Sequence, residues 1–148
     1  FQELYTVFAE SDDRLEKDTC IHDALTYLLT HYSDHHASAR PPEPTDASTQ
    51  QAYEYIMEHM TENIALQYLA AVAGLSAYHL LRAFRGRYGL PPHTFQLQQR
   101  INVAKRMLAE GFPIAEVAFE LGFTDQSHFT KKFKALVGAT PCQYQHSM

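Results

Sequence analysis

The sequence predicts an all-α fold, with two helix-turn-helix subdomains joined by a long linker helix and preceded by a helical pair. Three observations carry that expectation. The stretch Leu66–Gly89, LQYLAAVAGLSAYHLLRAFRGRYG, places apolar stripes at helical spacing on both sides of a turn at Gly74. Pro113–Gly138 repeats the layout, shifted by 48 residues up to the turn and by 49 after it, because the second turn holds one extra residue, Thr124. Between the copies, Pro92 and Gly111 bound a run that reads as a single helix.

Taken in order, Phe1, Leu4, Tyr5 and Phe8 support one short helix. Asp12 or Asp13 can cap a second over Arg14–Tyr32, whose stripe is Ile21, Ala24, Leu25, Leu28, Leu29 and Tyr32. Such a pair cannot bury its apolar face on itself, so residues 14–32 read as a self-association surface rather than as packing for the following domain. The chain begins at Phe1 rather than Met and is expected to be a fragment of a longer protein. His31, His35 and His36 have metal-like spacing, but no nearby Cys or suitably placed carboxylate completes a site. They read instead as partners of the helix dipole. Pro41, Pro42 and Pro44 mark a semi-stiff linker. The expected domains are therefore a helical pair over 1–33, a linker over 34–49 and a double helix-turn-helix over 50–148.

Gln50–Met60 should be amphipathic, with Tyr53, Ile56, Met57 and Met60 facing the first motif. In that motif Leu69, Ala70 and Ala73 pack inward, Gly74 takes a positive φ, Leu75 plugs the turn and Ser76 caps the next helix. Leu80, Ala83, Phe84 and Tyr88 then face the core, while Tyr78, Leu81, Arg82 and Arg85 form an i, i+3, i+4, i+7 stripe with no core to join. A helix that presents such a stripe to a major groove has this pattern. The linker helix is expected over Pro92–Ala109, anchored by Phe95, Leu97, Ile101, Ala104 and Leu108. Its length of about 27 Å is slightly short of the ~34 Å between adjacent major-groove faces, so the duplex must bend or one motif must engage loosely. In the second copy Val117, Ala118, Leu121, Gly122 and Phe123 match Leu69, Ala70, Ala73, Gly74 and Leu75. Phe129 and Phe133 match Leu80 and Phe84, and Ser127, Thr130, Lys131 and Lys134 match the outward stripe. Pro141–His146 closes the chain as a last short helix.

The pairing AVAGLSAYHLLRAFRGRYGLPP … IAEVAFELGFTDQSHFTKKFKALVGATPCQY resembles the DNA-binding domain of AraC/XylS-type bacterial transcription regulators over about residues 50–145. The resemblance implies seven helices, two helix-turn-helix motifs reading consecutive major grooves, and helices preceding them that dimerise. The usual Ser-Pro before the linker helix is Pro91-Pro92 here, and the closing Tyr-Arg is Tyr144-Gln145, which puts a basic contact near the C-terminus in question.

The formal net charge of −5 looks wrong for a DNA binder. It divides unevenly: residues 1–46 carry three Lys/Arg and ten Asp/Glu, a net of −7, whereas residues 47–148 carry nine and seven, a net of +2. From Asn63 to Ala109 there are six basic residues and no acidic one. A clustered patch suffices for phosphate neutralisation. Cys20 and Cys142 read as free thiols in a reducing cytoplasm. No apolar run is long enough for a membrane helix, and no signal-peptide layout opens the chain.

Base-contacting residues are expected to be Tyr78, Leu81 and Arg82 in the first motif and Gln126, Ser127, Thr130 and Lys131 in the second. Ser76, Arg85, Arg87, Thr124 and Lys134 are expected on phosphates. His79 and His128, beside the caps, read as structural and bonded to backbone. The expected partners are double-stranded DNA, a second copy through residues 14–32 and RNA polymerase, with no cofactor, metal or membrane; a cytoplasmic, nucleoid-associated activator fits that set. The rival is a helical protein-interaction module using the same stripes. The 17 carboxylates and nine histidines fall in no recognisable catalytic order, so no enzyme is expected.

Overall fold

The computed structural model describes residues 46–147. The expected helical pair, Cys20, the histidines at 31, 35 and 36, and the linker up to residue 45 lie outside the described residues. Among the described residues seven helices follow one another: α1 (Asp46–Glu58), α2 (Leu66–Val72), α3 (Ala77–Tyr88), α4 (Pro92–Ala109), α5 (Ile114–Glu120), α6 (Gln126–Val137) and α7 (Pro141–His146).

The first helix departs from expectation. It starts at Asp46, not Gln50, so the last four residues assigned to the linker are helical. The Thr49 hydroxyl donates to the Asp46 carbonyl at 3.1 Å, and Thr49 itself is buried. Its inner face is Thr49, Ala52, Tyr53 and Ile56, whereas Met57 is exposed. The small polar residues ahead of Gln50 resembled linker; docking on α3 makes them helix.

Each half has its own core. Ala52, Ile56, Leu69, Ala70, Ala73, Leu75, Leu80 and Phe84 form the first. Ile101, Ala104, Leu108, Val117, Ala118, Leu121, Phe123, Phe129 and Phe133 form the second. All six inward pairs of the sequence repeat, from Leu69/Val117 to Phe84/Phe133, are buried in both copies. The equivalent helices have equal lengths, 7 residues in α2 and α5 and 12 in α3 and α6.

The repeat extends further than the two motifs. Shifted by 49, Phe95 of α4 corresponds to Tyr144 of α7, and Gln96 to Gln145. Phe95 meets Phe84 edge-on at 5.6 Å and 72°, and Tyr144 meets Phe133 at 5.5 Å and 71°. Gln96 Nε2 donates to the Met60 and Glu62 carbonyls at 2.9 and 2.8 Å, and Gln145 Nε2 donates to the Phe112 carbonyl at 3.1 Å. In both copies an amide ties down the loop that follows the first helix of its unit. The N-terminal half of α4 thus closes the first unit as α7 closes the second. Its C-terminal half opens the second unit, where Ile101, Ala104 and Leu108 are buried as expected. Gln145 has a structural task where the resemblance carries an arginine.

Candidate nucleic-acid interface

Both turns are built by the same backbone bonds. The Leu75 N–H reaches the Ala70 carbonyl at 2.9 Å and the Gly74 N–H reaches Ala71 at 3.1 Å; Phe123 to Ala118 and Gly122 to Phe119, each 3.0 Å, repeat them. This closure requires a left-handed residue, and Gly74 (φ 64°) and Gly122 (φ 71°) supply it. An apolar residue then plugs the turn, and a cap starts the recognition helix. Ser76 Oγ accepts from the His79 N–H at 3.3 Å, and Asp125 Oδ1 accepts from the His128 N–H at 2.8 Å. The cap of α6 is therefore Asp125, with Thr124 exposed just before it.

On α3, Leu80 and Phe84 point into the core while Tyr78, Leu81, Arg82 and Arg85 are exposed, Tyr78 by 43% and Leu81 by 37%. On α6, Phe129 and Phe133 are buried; Gln126, Ser127, Lys131 and Lys134 are exposed and Thr130 is half-buried. Each helix therefore brings its expected base-reading residues onto one outward face. The Thr130 hydroxyl donates to the Gln126 carbonyl at 2.8 Å, so its donor is engaged within the helix. Its methyl is then the group that corresponds to the apolar Leu81.

Ser76 and Arg87, both expected on phosphates, have side-chain partners within the chain. The Ser76 hydroxyl is engaged by its capping bond and by His79 Nδ1 at 2.9 Å. Any contact with a phosphate at this end of α3 is left to its first-turn amides. Arg87 does not join the stripe. Its guanidinium binds the Asp46 carbonyl, the Asp46 carboxylate at 3.3 Å, Thr49 Oγ1 at 3.1 Å and Gln50 Oε1 at 3.3 Å. It pins the start of α1 to the end of α3. The His79 ring, expected to bond backbone, bonds the Ser76 hydroxyl instead. The His128 ring lies edge-on to Phe123 at 5.7 Å.

Two residues near the middle of α4 went unnoticed in the sequence. Gln96 is buried, and Arg100 donates from Nε to the Met60 carbonyl at 2.6 Å and from a terminal nitrogen to the Glu62 carbonyl at 2.8 Å. Burial pulls the Arg100 guanidinium below its usual pKa range, although an arginine at neutral pH remains charged. Periodicity hid them, because both are polar residues on a helix expected to be anchored by apolar ones. The Gln96/Gln145 repeat was the available signal.

The helix-turn-helix domain family matches residues 69–147. An HTH-type transcriptional regulator of Bacillus subtilis, YbfI, itself uncharacterized, is 41% identical over 127 residues, covering 86% of this chain and 46% of that protein. The arabinose operon regulatory protein of Escherichia coli is 33% identical over 104 residues, covering 69% of this chain and 36% of that protein. The chain spans less than half the length of these curated relatives. Among solved structures, the DNA-binding domain of AdpA in complex with a target DNA superposes with a TM-score of 0.62 at 27% identity, covering 70% of this chain and 93% of that one. With the duplicated turn, the shared α4 and the paired outward stripes, these similarities show that the chain belongs to the AraC-type helix-turn-helix transcription regulators.

Proposed function

We propose that this chain binds double-stranded DNA sequence-specifically, with α3 and α6 in two successive major grooves, and thereby regulates transcription. The observation that carries the reading is the twofold occurrence of one outward stripe, Tyr78/Leu81/Arg82/Arg85 and Ser127/Thr130/Lys131/Lys134, exposed except at the half-buried Thr130, on helices whose opposite faces are buried. Arg82 is assigned to a guanine edge, and Tyr78, Leu81 and the Thr130 methyl to thymine methyls. Gln126 suits adenine, with Ser127 and Lys131 less selective. Arg85, Lys134 and the backbone around Ser76 and Thr124 are assigned to phosphates. Arg87 is a weaker candidate for that role, given its bonds to α1. A second copy, held through residues 14–32, and RNA polymerase are the further partners this reading expects, and it includes no catalysis.

Selection of bound duplexes from a random pool tests the proposal. The expected product is a bipartite site whose halves lie about 10 base pairs apart, one turn of the duplex. A pool that enriches no motif would instead favour the protein-interaction module.

A further inference from the structure

One cluster has no counterpart in the internal repeat. At the shift of 48 that aligns the two units, Arg100 stands where α1 carries the buried Ala52. The Arg100 side chain lies between the two units. It binds the Met60 and Glu62 carbonyls of the loop after α1 at 2.6 and 2.8 Å. On the other side it reaches the Gly122 carbonyl, at a longer 3.4 Å, and its guanidinium carbon lies 5.8 Å from the centre of the Phe123 ring. Gly122 and Phe123 form the turn that aims α6. Beside this clamp the loop touches the turn directly: a Cβ on Gly122 would overlap the Thr61 carbonyl oxygen and stand 2.9 Å from its carbon. At Gly74, the same position in the first copy, a Cβ would meet nothing within 4 Å. The close approach therefore belongs to the contact between units and not to the turn itself.

We propose that Arg100, seated against the loop 59–62 and the Gly122 turn, is a positioning residue that fixes the phase between α3 and α6 and so makes the chain selective for the spacing of two DNA half-sites. The proposal rests on the DNA-binding reading above and adds the device that sets its spacing. A linker helix alone holds the two units at one distance, but side-chain packing at its two ends leaves twist and tilt soft. A forked, charge-assisted bond to carbonyls of one unit, pressed against the turn of the other, removes that freedom. Energy that would otherwise be lost in ordering two tethered binders then appears as affinity for one spacing only.

Two measurements on the 148-residue chain test it. The first needs no DNA. Nitroxides at Arg85→Cys and Lys134→Cys, in a Cys20→Ser, Cys142→Ser background, should give one narrow distance, which Arg100→Ala and Arg100→Lys both broaden. Arg100→Lys keeps the charge but cannot form the fork, so it separates geometry from phosphate attraction. The second compares duplexes carrying one selected half-site, both at the selected spacing, or both with one base pair inserted or removed. Arg100→Ala and Arg100→Lys should each lose about tenfold on the selected spacing, leave single half-sites unchanged and flatten the spacing preference. A broad distance in the parent, a distribution unmoved by either variant, or equal losses on full and half sites would overturn the proposal. Full recovery by Arg100→Lys would do the same, reducing the effect to charge. A parent that enriches no DNA sequence overturns the DNA reading, and the distance measurement then decides the lock alone.

Discussion

Arg82 and Lys134 occupy different positions along their stripes, and that difference has measurable consequences. Arg82 lies in the second turn of α3, within reach of a base edge, whereas Lys134 lies two turns into α6 and is suited to a phosphate. Arg82→Ala is expected to cost roughly 1–3 kcal/mol on the selected site and to relax preference at one base position, read against a panel of substituted duplexes. An equal loss across the panel would place Arg82 on phosphate instead. Lys134→Ala should weaken all sequences alike and reduce the magnitude of the salt slope by about 1. Asp125 offers a complementary test. Its carboxylate caps α6 at 2.8 Å, which places a negative charge at the end where the proposed DNA backbone approaches. Asp125→Asn preserves a capping oxygen and removes the repulsion, so non-specific binding at low salt should strengthen while helix content stays the same. Weaker binding would mean that the carboxylate does more than cap.

At the scale of elements, the two turns look interchangeable in sequence and are not. Gly74→Ala forces a β-carbon into the left-handed region and should cost about 1–2 kcal/mol in chemical denaturation. Gly122→Ala carries that same strain and also drives a methyl into the Thr61 carbonyl, so its loss should exceed that of Gly74→Ala. Equal losses would show that the loop simply moves aside. The amide ties of α4 and α7 form another such pair. Gln96 is 5% exposed and serves the Met60 and Glu62 carbonyls, whereas Gln145 is half-buried and serves one carbonyl. Gln96→Leu should therefore destabilise by about 1–3 kcal/mol, the cost of stranding buried acceptors, and Gln145→Leu by less. Much of this level was legible beforehand: the α4 bounds, the Ser76 cap, both glycine turns and the inward pairs all follow from the sequence pattern. The start of α1 was not, because Asp46–Thr49 gain their helix from Arg87, which lies 38 residues further on from Thr49.

For the molecule as a whole, charge should govern how it meets DNA. The outward stripes hold four cationic side chains, Arg82, Arg85, Lys131 and Lys134. If each neutralises one phosphate in the non-specific complex, the logarithm of affinity should fall against the logarithm of salt with a slope of about −3.6, counting 0.9 per contact. A slope near zero in a titration on random duplex would remove phosphate neutralisation from the proposal. The acidic residues 1–46 are excluded from that sum because they carry the opposite sign, and a chain shortened to residues 46–148 should bind non-specific duplex at least as well as the full chain.

Read without coordinates, the chain determined which residues face inward and which face outward in the four helices of the two motifs, since that division follows from local period and from a repeat that states it twice. It also marked where the helices that run into a glycine stop, because glycine acts through the geometry of its own residue. Only the tertiary structure decided that Arg87 holds α1 and that Gln96 and Arg100 bind the loop after α1. Contacts between side chains and distant carbonyls leave no periodic trace. A polar residue inside a helix looks the same in sequence whether it faces water or a main chain some 40 positions away, as Arg100 faces Met60. Burial tells the two apart, and burial is a property of the assembled fold.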